Sequence, residues 1–151
     1  MVLLLAVACG CFAADMWTKA WALVHATPPR PLVPGLLSLT LTTNTGAVFG
    51  MFRGGAPVLS AVSFLIMGAL VVFWWWEGRG SLLLSASVGI LLGGAAGNLY
   101  DRLRRGAVVD FLHFDFLPWW PAFNVADIAT VIGVVLLLGW MVAHRGRQGA
   151  S

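Results

Sequence analysis

The apolar residues of this chain fall into four long runs rather than into the short repeats of a soluble helix or strand. The first extends from about Val2 to Val24, interrupted by Asp15 and Lys19; the others are Ala56 to Trp76, Ser81 to Tyr100 and Phe123 to Ala143. Each supplies the roughly 20 residues that a helix needs to cross a hydrocarbon core about 30 Å thick. The pattern therefore predicts an all-α membrane protein with four transmembrane helices, approximately 2–24, 56–76, 81–100 and 123–143. Trp74, Trp75 and Trp76 close the second run, where indole rings favour the headgroup level. Glu77-Gly78-Arg79-Gly80 turns the chain, and His144, Arg145 and Arg147 follow the fourth run. Two longer segments join the runs at the other side. Residues 25–55 carry prolines 28, 29, 31 and 34, then Ser38-Leu39-Thr40-Leu41-Thr42, whose alternation predicts a short strand. Residues 101–122 are rich in charges and aromatics, Pro118-Trp119-Trp120-Pro121 among them, and both segments are expected to fold against the helix ends. The chain 1–151 reads as a single integral membrane domain.

Composition strengthens this reading. Hydrophobic residues make up 60% and charged residues 10% of the chain, against roughly 45–50% and about 25% in ordinary soluble proteins. The net charge of +3 is small and forms no basic stripe, so nucleic-acid binding has no support. Cys9 and Cys11 are too close for a useful disulfide loop and read as small apolar helix residues. Met1 to Ala14 has no basic lead of the kind a secretory signal carries, and apolar character resumes from Trp21 to Val24, so a retained first helix is expected. Arg79, Arg145 and Arg147 flank one side, whereas Arg30, Arg53, Arg102, Arg104 and Arg105 flank the other. Charge counting alone would thus put the long connections in the cytoplasm.

Polar residues are informative by depth. At 1.5 Å per helical residue, Asp127 lies about 25 Å from His144, Asn98 about 27 Å from Gly80, and Asp15 about 20 Å from the chain start. With Asp101, Asp110 and Asp115 in the second long connection, five of the six carboxylates gather near one membrane face, and Glu77 stands alone at the other. Ionisable groups at membrane depth are costly and tend to be paired or functional. Asp15 can pair with Lys19 at i,i+4, and Asp101 with a nearby arginine, as scaffolding. Asp110 and Asp127 have no such compensation. Asp110 lies between Val109 and Phe111, and the one polar companion of Asp127 at helical spacing is Asn124. Two carboxyls in an apolar setting suggest a pair sharing one proton, with a charged member to take a proton from water and a neutral member to donate one. A proton or ion relay through Asp15, Asp110 and Asp127 is the alternative, although a relay should spread its acids through the bilayer. A non-enzymatic assembly factor held together by the polar cluster is a third reading.

Five stretches carry a resemblance. Asp15-Met16-Trp17-Thr18-Lys19, Asn44-Thr45-Gly46-Ala47-Val48-Phe49, Gly93 to Arg102, Val108-Val109-Asp110-Phe111 and Phe123-Asn124-Val125-Ala126-Asp127 resemble, in order, the motifs of the bacterial lipoprotein signal peptidases (signal peptidase II). Met16 and Tyr100 depart from the expected residue types at places where no chemistry is done. The resemblance implies an intramembrane aspartic endopeptidase with no metal and no cofactor. It would remove the signal peptide from a diacylglyceryl-modified prolipoprotein, cutting just before the lipidated cysteine. Asp110 and Asp127 would be the catalytic pair. Asp15, Asn44, Gly94, Asn98, Asp101, Arg102 and Asn124 would bind substrate or support the site. The implied setting is the bacterial cytoplasmic (inner) membrane, as a monomer in contact with membrane lipid. Both termini would be cytoplasmic, with the site near the outer face and a small β-containing extracytoplasmic segment between helices 1 and 2. This orientation reverses the one that charge counting suggests. Gly93, Gly94 and Gly97 permit close helix approach. Trp119 and Trp120 can seat the external segment on the membrane, and His113 and Asp115 read as solvated loop residues.

Overall fold

The computed structural model describes residues 1–46, 55–78 and 80–148; Ala47, Val48 and Phe49 of the second motif, together with Arg53 and Arg79, lie outside them. Four helices appear, all long and apolar enough to cross a membrane: α1 (Val2–His25), α2 (Ala56–Glu77), α3 (Leu82–Arg105) and α4 (Val125–Gln148). Three strands accompany them, β1 (Arg30–Val33), β2 (Leu37–Asn44) and β3 (Val108–Phe114).

Helix boundaries follow local chemistry. Pro57 stands in the first turn of α2, where its missing N–H costs nothing. Ser81 caps α3 by accepting a hydrogen bond from the Leu84 N–H at 3.2 Å. α3 runs five residues past the expected end near Tyr100 and stops at Gly106, whose φ of 70° terminates a helix at little steric cost. Asp101 to Arg105 are therefore helical rather than part of a loop, and Arg102, Arg104 and Arg105 sit in the last turn, where the helix dipole favours cations.

α3 is the axis of the bundle. Of its most apolar window 61% is buried, against 6% for α2, whose surface is left to lipid. Gly89, Gly93 and Gly97, spaced by four, present bare backbone to α1. A Cβ on Gly93 would come within 2.6 Å of the Ala8 carbonyl oxygen, and one on Gly97 would collide with the Asp15 carboxylate. Gly94 faces the other neighbour, and a Cβ there would lie 2.7 Å from the Ala126 oxygen of α4. Small residues at such spacing let helix backbones approach where water supplies no driving force. At the end away from the sheet, Leu4, Trp74, Leu84, Val88, Leu92 and Trp140 form one apolar cluster. Trp74, in the last turn of α2, is buried against α3, and its indole N–H donates to Ser85 Oγ at 2.9 Å.

The strands form an antiparallel sheet in the order β1-β2-β3, at the end where α1 and α3 finish and α2 and α4 begin. β2 contains the expected 38–42 stretch and extends it on both sides. β3 was not anticipated, because Val108 to Phe111 are all buried and leave no alternation to read. Its pairing with β2 sets Asn44 opposite Val108 and Thr42 opposite Asp110. Its other edge is held by a bridge between Leu112 and Phe123. Ala22, Ala26, Leu39 and Phe111 pack the sheet against the end of α1.

Candidate active site

The first turn of α4 builds half of the site. Asn124 precedes the helix, and its Oδ1 accepts the Asp127 N–H at 3.0 Å, while the Asp127 Oδ2 accepts the Asn124 N–H at 3.1 Å. This reciprocal capping box satisfies N–H groups that the helix cannot, so Asp127 is rigidly placed by the same bonds that start its helix. The Asn-x-x-Asp spacing was present in the sequence as a cap signal, and it is also what orients the acid.

β3 supplies the other half. Asp110 is 3% exposed. Its Oδ1 accepts the Asn124 Nδ2–H at 2.6 Å, so Asn124 joins the two acids, its side chain bonding the Asp110 carboxyl and its backbone N–H the Asp127 carboxylate. Asn124 Nδ2 also lies 3.1 Å from Asn98 Oδ1 and 3.3 Å from the Val109 carbonyl. Asn98 in turn donates from Nδ2 to Asp127 Oδ1 at 2.9 Å. Both oxygens of Asp127 thus accept N–H donors. Burial first, then the charge of Asp127, pushes the Asp110 carboxyl from 3.8 up to about 7; hydrogen bonds from Asn124 and Asn44 and the charge of Lys19 act the other way.

Asp110 and Asp127 open onto one cavity of about 320 Å³, lined also by Asn44, Asn98, Arg102 and Trp120. Val108, Phe123 and Val131 give it apolar walls. Arg102 stands within electrostatic reach of Asp127, Asp110 and Asp101. Of the nine residues expected at the site, six therefore line the cavity or bond its acids: Asn44, Asn98, Arg102, Asp110, Asn124 and Asp127. Gly94 lies behind it, against α4.

Asp15 and Asp101 form an adjoining cluster with Lys19, which is 2% exposed. The Lys19 ammonium lies 2.7 Å from Asp15 Oδ2, 3.0 Å from Asp101 Oδ2 and 2.9 Å from Asn98 Oδ1. Asp15 Oδ1 accepts the Ala126 N–H at 2.9 Å, tying α1 to the start of α4. Asp101 accepts the Val109 N–H at 3.1 Å, tying α3 to β3, and pairs with Arg105 at 3.3 Å. The expected pairings of both acids hold. Sequence spacing shows Lys19 only as the partner of Asp15; its bonds to Asn98 and Asp101 cross 79 and 82 (101 − 19) residues of chain and leave no local trace. His113 lies on β3 rather than in a loop, whereas Asp115 stands in the turn that follows it and accepts the Ser38 hydroxyl at 2.9 Å. Among the described residues, no group of three or more His, Cys, Asp or Glu is placed to hold a metal ion.

Comparison with known proteins gives a consistent answer. The sequence model of the family described as signal peptidase (SPase) II matches residues 7–143. A lipoprotein signal peptidase of Syntrophomonas wolfei is 42% identical over 126 residues, covering 82% of each chain. One from Thermosynechococcus vestitus is 41% identical, covering 87% of this chain and 85% of its own. A solved structure of a bacterial membrane enzyme superposes with a TM-score of 0.87 at 26% identity, covering 97% of this chain and 92% of that one.

Proposed function

This chain belongs to the signal peptidase II family and is a multi-pass membrane protease, and we propose that it is an aspartic endopeptidase whose acids are Asp110 and Asp127. Its substrate is a prolipoprotein bearing a diacylglyceryl group on the cysteine that follows the scissile bond. The observation that carries this reading is the bridged pair: two carboxyls on one cavity, joined through Asn124 and differing in their hydrogen-bond company.

The roles follow from that difference. Asp127, with donors on both oxygens, rests ionised and takes a proton from a water held between the acids. Asp110, buried and facing a like charge, holds the shared proton and gives it to the substrate carbonyl oxygen as the water oxygen bonds to carbon. The tetrahedral diol then collapses; the amide nitrogen leaves with the proton taken up by Asp127, and the new carboxyl releases its own to restore the starting state. Asn44 and Arg102, at the cavity wall, are placed to hold the substrate backbone. Asp15, Asp101 and Gly94 keep the helix ends in register. The active end faces outward from the bacterial inner membrane, both termini are cytoplasmic, and the enzyme acts as a monomer in contact with lipid.

The test is cleavage of a diacylglyceryl-modified prolipoprotein by the purified enzyme and by Asp110→Asn and Asp127→Asn. Loss of turnover in both variants supports the pair, and full activity in either removes it. Equal processing of the unmodified precursor would instead remove the lipid requirement. A reporter fused to the C-terminus that reads as external would overturn the orientation.

A further inference from the structure

The ammonium of Lys19 has three N–H donors and no acceptor. Within the buried cluster it faces three oxygens, from Asp15, Asp101 and Asn98, each within 3.0 Å. Its capacity is used in full. Carboxylates accept from any direction, but the Asn98 amide has two unlike ends. Facing an ammonium, it must present Oδ1, and the opposite arrangement would set two donors against each other. Its Nδ2 is consequently turned toward Asp127 Oδ1. The polarity of Asn124 is fixed separately, by the Asp127 N–H donating to its Oδ1.

From this chain of bonds we propose that Lys19 is a positioning residue for the acid pair: its charge orients the Asn98 amide, so that Asp127 meets a donor rather than an acceptor and stays the ionised member. The proposal rests on the aspartic reading, which the Asp110→Asn and Asp127→Asn variants test independently. Lys19 itself does not reach the cavity, since it is absent from the lining residues and nearly fully buried. Without it, Asn98 Oδ1 keeps only the Asn124 Nδ2–H at 3.1 Å, a donor already shared with Asp110 and the Val109 carbonyl, so the amide can turn its carbonyl toward Asp127, where only a protonated carboxyl is a suitable partner. The pair would then hold its proton on the wrong acid. The charged groups in this neighbourhood are Asp15 from α1, Asp101, Arg102 and Arg105 from α3, Asp110 from β3 and Asp127 from α4. Lys19 also lowers the Asp110 carboxyl through its charge, in keeping with a cation that favours ionisation on the pair.

Replacing Lys19 alone would leave Asp15 without its cation and risks unfolding. The test therefore uses Asp15→Asn/Lys19→Met, which removes one charge of each sign and leaves Asp101 with Arg105. It is compared with Asp15→Asn alone, in detergent, for melting temperature, kcat, KM and pH profile on the lipidated substrate. The expected result is a folded protein with KM within about threefold of Asp15→Asn. Its kcat should fall at least about tenfold, and the acid limb of the kcat profile should move to higher pH. Equal kcat and an unmoved acid limb would overturn the proposal and leave Lys19 as charge neutralisation. Should the double variant not fold, Asp101→Asn/Lys19→Met decides the matter against Asp101→Asn alone, because it too removes one charge of each sign and adds none beside Asp127. A fall in kcat with the acid limb raised supports the proposal; equal kcat, or a fall with the limb unmoved, overturns it.

Discussion

Two acid pairs lie side by side at one end of the helix bundle and are differently answered; Asp15, Asp101 and Asp110 are buried, and Asp127 is half-buried at the cavity. Asp15 and Asp101, 0% and 1% exposed, share the Lys19 ammonium, and Asp101 has Arg105 as well. Asp110 and Asp127 meet amides, and among the described residues neither makes an ion pair. Since Asp110 is buried about as deeply as the scaffold acids, burial alone is not what separates structural carboxylates from reactive ones here. Compensation is. A carboxylate whose charge is cancelled on the spot holds helices together, whereas two carboxyls that must share one proton are poised to pass it on.

The largest effect that bears on this contrast is the loss of the reactive pair. Asp127→Asn and Asp110→Asn should each lower kcat by about 10²–10⁴, the span of general acid–base catalysis, or more. Stability should move the opposite way for Asp110. A carboxyl whose folded-state value is raised from 3.8 to about 7 contributes to stability at pH below its ordinary range and loses that contribution as pH rises through about 7. Asp110→Asn should accordingly melt higher than the parent in detergent, with the gap opening between pH 4 and 7. In the parent, kcat should fall about tenfold per pH unit above about 7, as the acid loses its proton. A variant that is inactive and also less stable would place Asp110 with the scaffold.

The scaffold pair predicts the reverse sign. Asp101→Leu strips Lys19 of one carboxylate and orphans the Val109 N–H. Lys19 keeps Asp15, but the buried Val109 N–H loses its acceptor at a cost of about 1–3 kcal/mol, so thermal melting should drop. An unchanged melting temperature would show that the cluster is not what ties α3 to β3.

Packing around the clusters comes next. Gly97→Ala drives a methyl into the Asp15 carboxylate, and Gly94→Ala puts one 2.7 Å from a backbone oxygen that cannot swing away. Overpacking of this kind costs about 1–3 kcal/mol. Gly139→Ala meets nothing within 4 Å and should stabilise α4 by about 0.5–1 kcal/mol through helix propensity. The ranking of the three melting temperatures checks it.

How far the sequence carried these conclusions depends on the range of the interaction. The four spans were visible because a run of apolar residues is a local property. Local too were the Asp15–Lys19 pairing and the small residues of α3. β3 was hidden because burial on both faces erases the alternation that marks a strand, and the true end of α3 was marked by Gly106 although the charges of Asp101 to Arg105 suggested a loop. The bonds from Lys19 to Asn98 and Asp101, and from Asp15 to the Ala126 amide, join distant segments and exist only in the fold. The helical spacing of Asn124 and Asp127 was readable, but the reciprocal cap they form, and the bond from Asn124 to Asp110 on a different element, appear only in the fold.

The smallest test concerns a polar contact far from both acid pairs. Trp74 donates its indole N–H to Ser85 Oγ where α2 meets α3, at the opposite end of the bundle from the sheet. Ser85→Ala leaves that N–H buried without its acceptor, at a cost of about 1–3 kcal/mol. Adding Trp74→Phe removes the donor as well; the polar penalty then disappears and only the difference in packing remains. Neither variant alters a charge near the acids, so kcat and the pH profile of the folded enzyme should match the parent in both. If Ser85→Ala shifted the acid limb, stability at the far end would be feeding into proton placement at the site. The division between compensated scaffold and reactive pair would then be a property of the whole bundle rather than of the residues around each carboxyl.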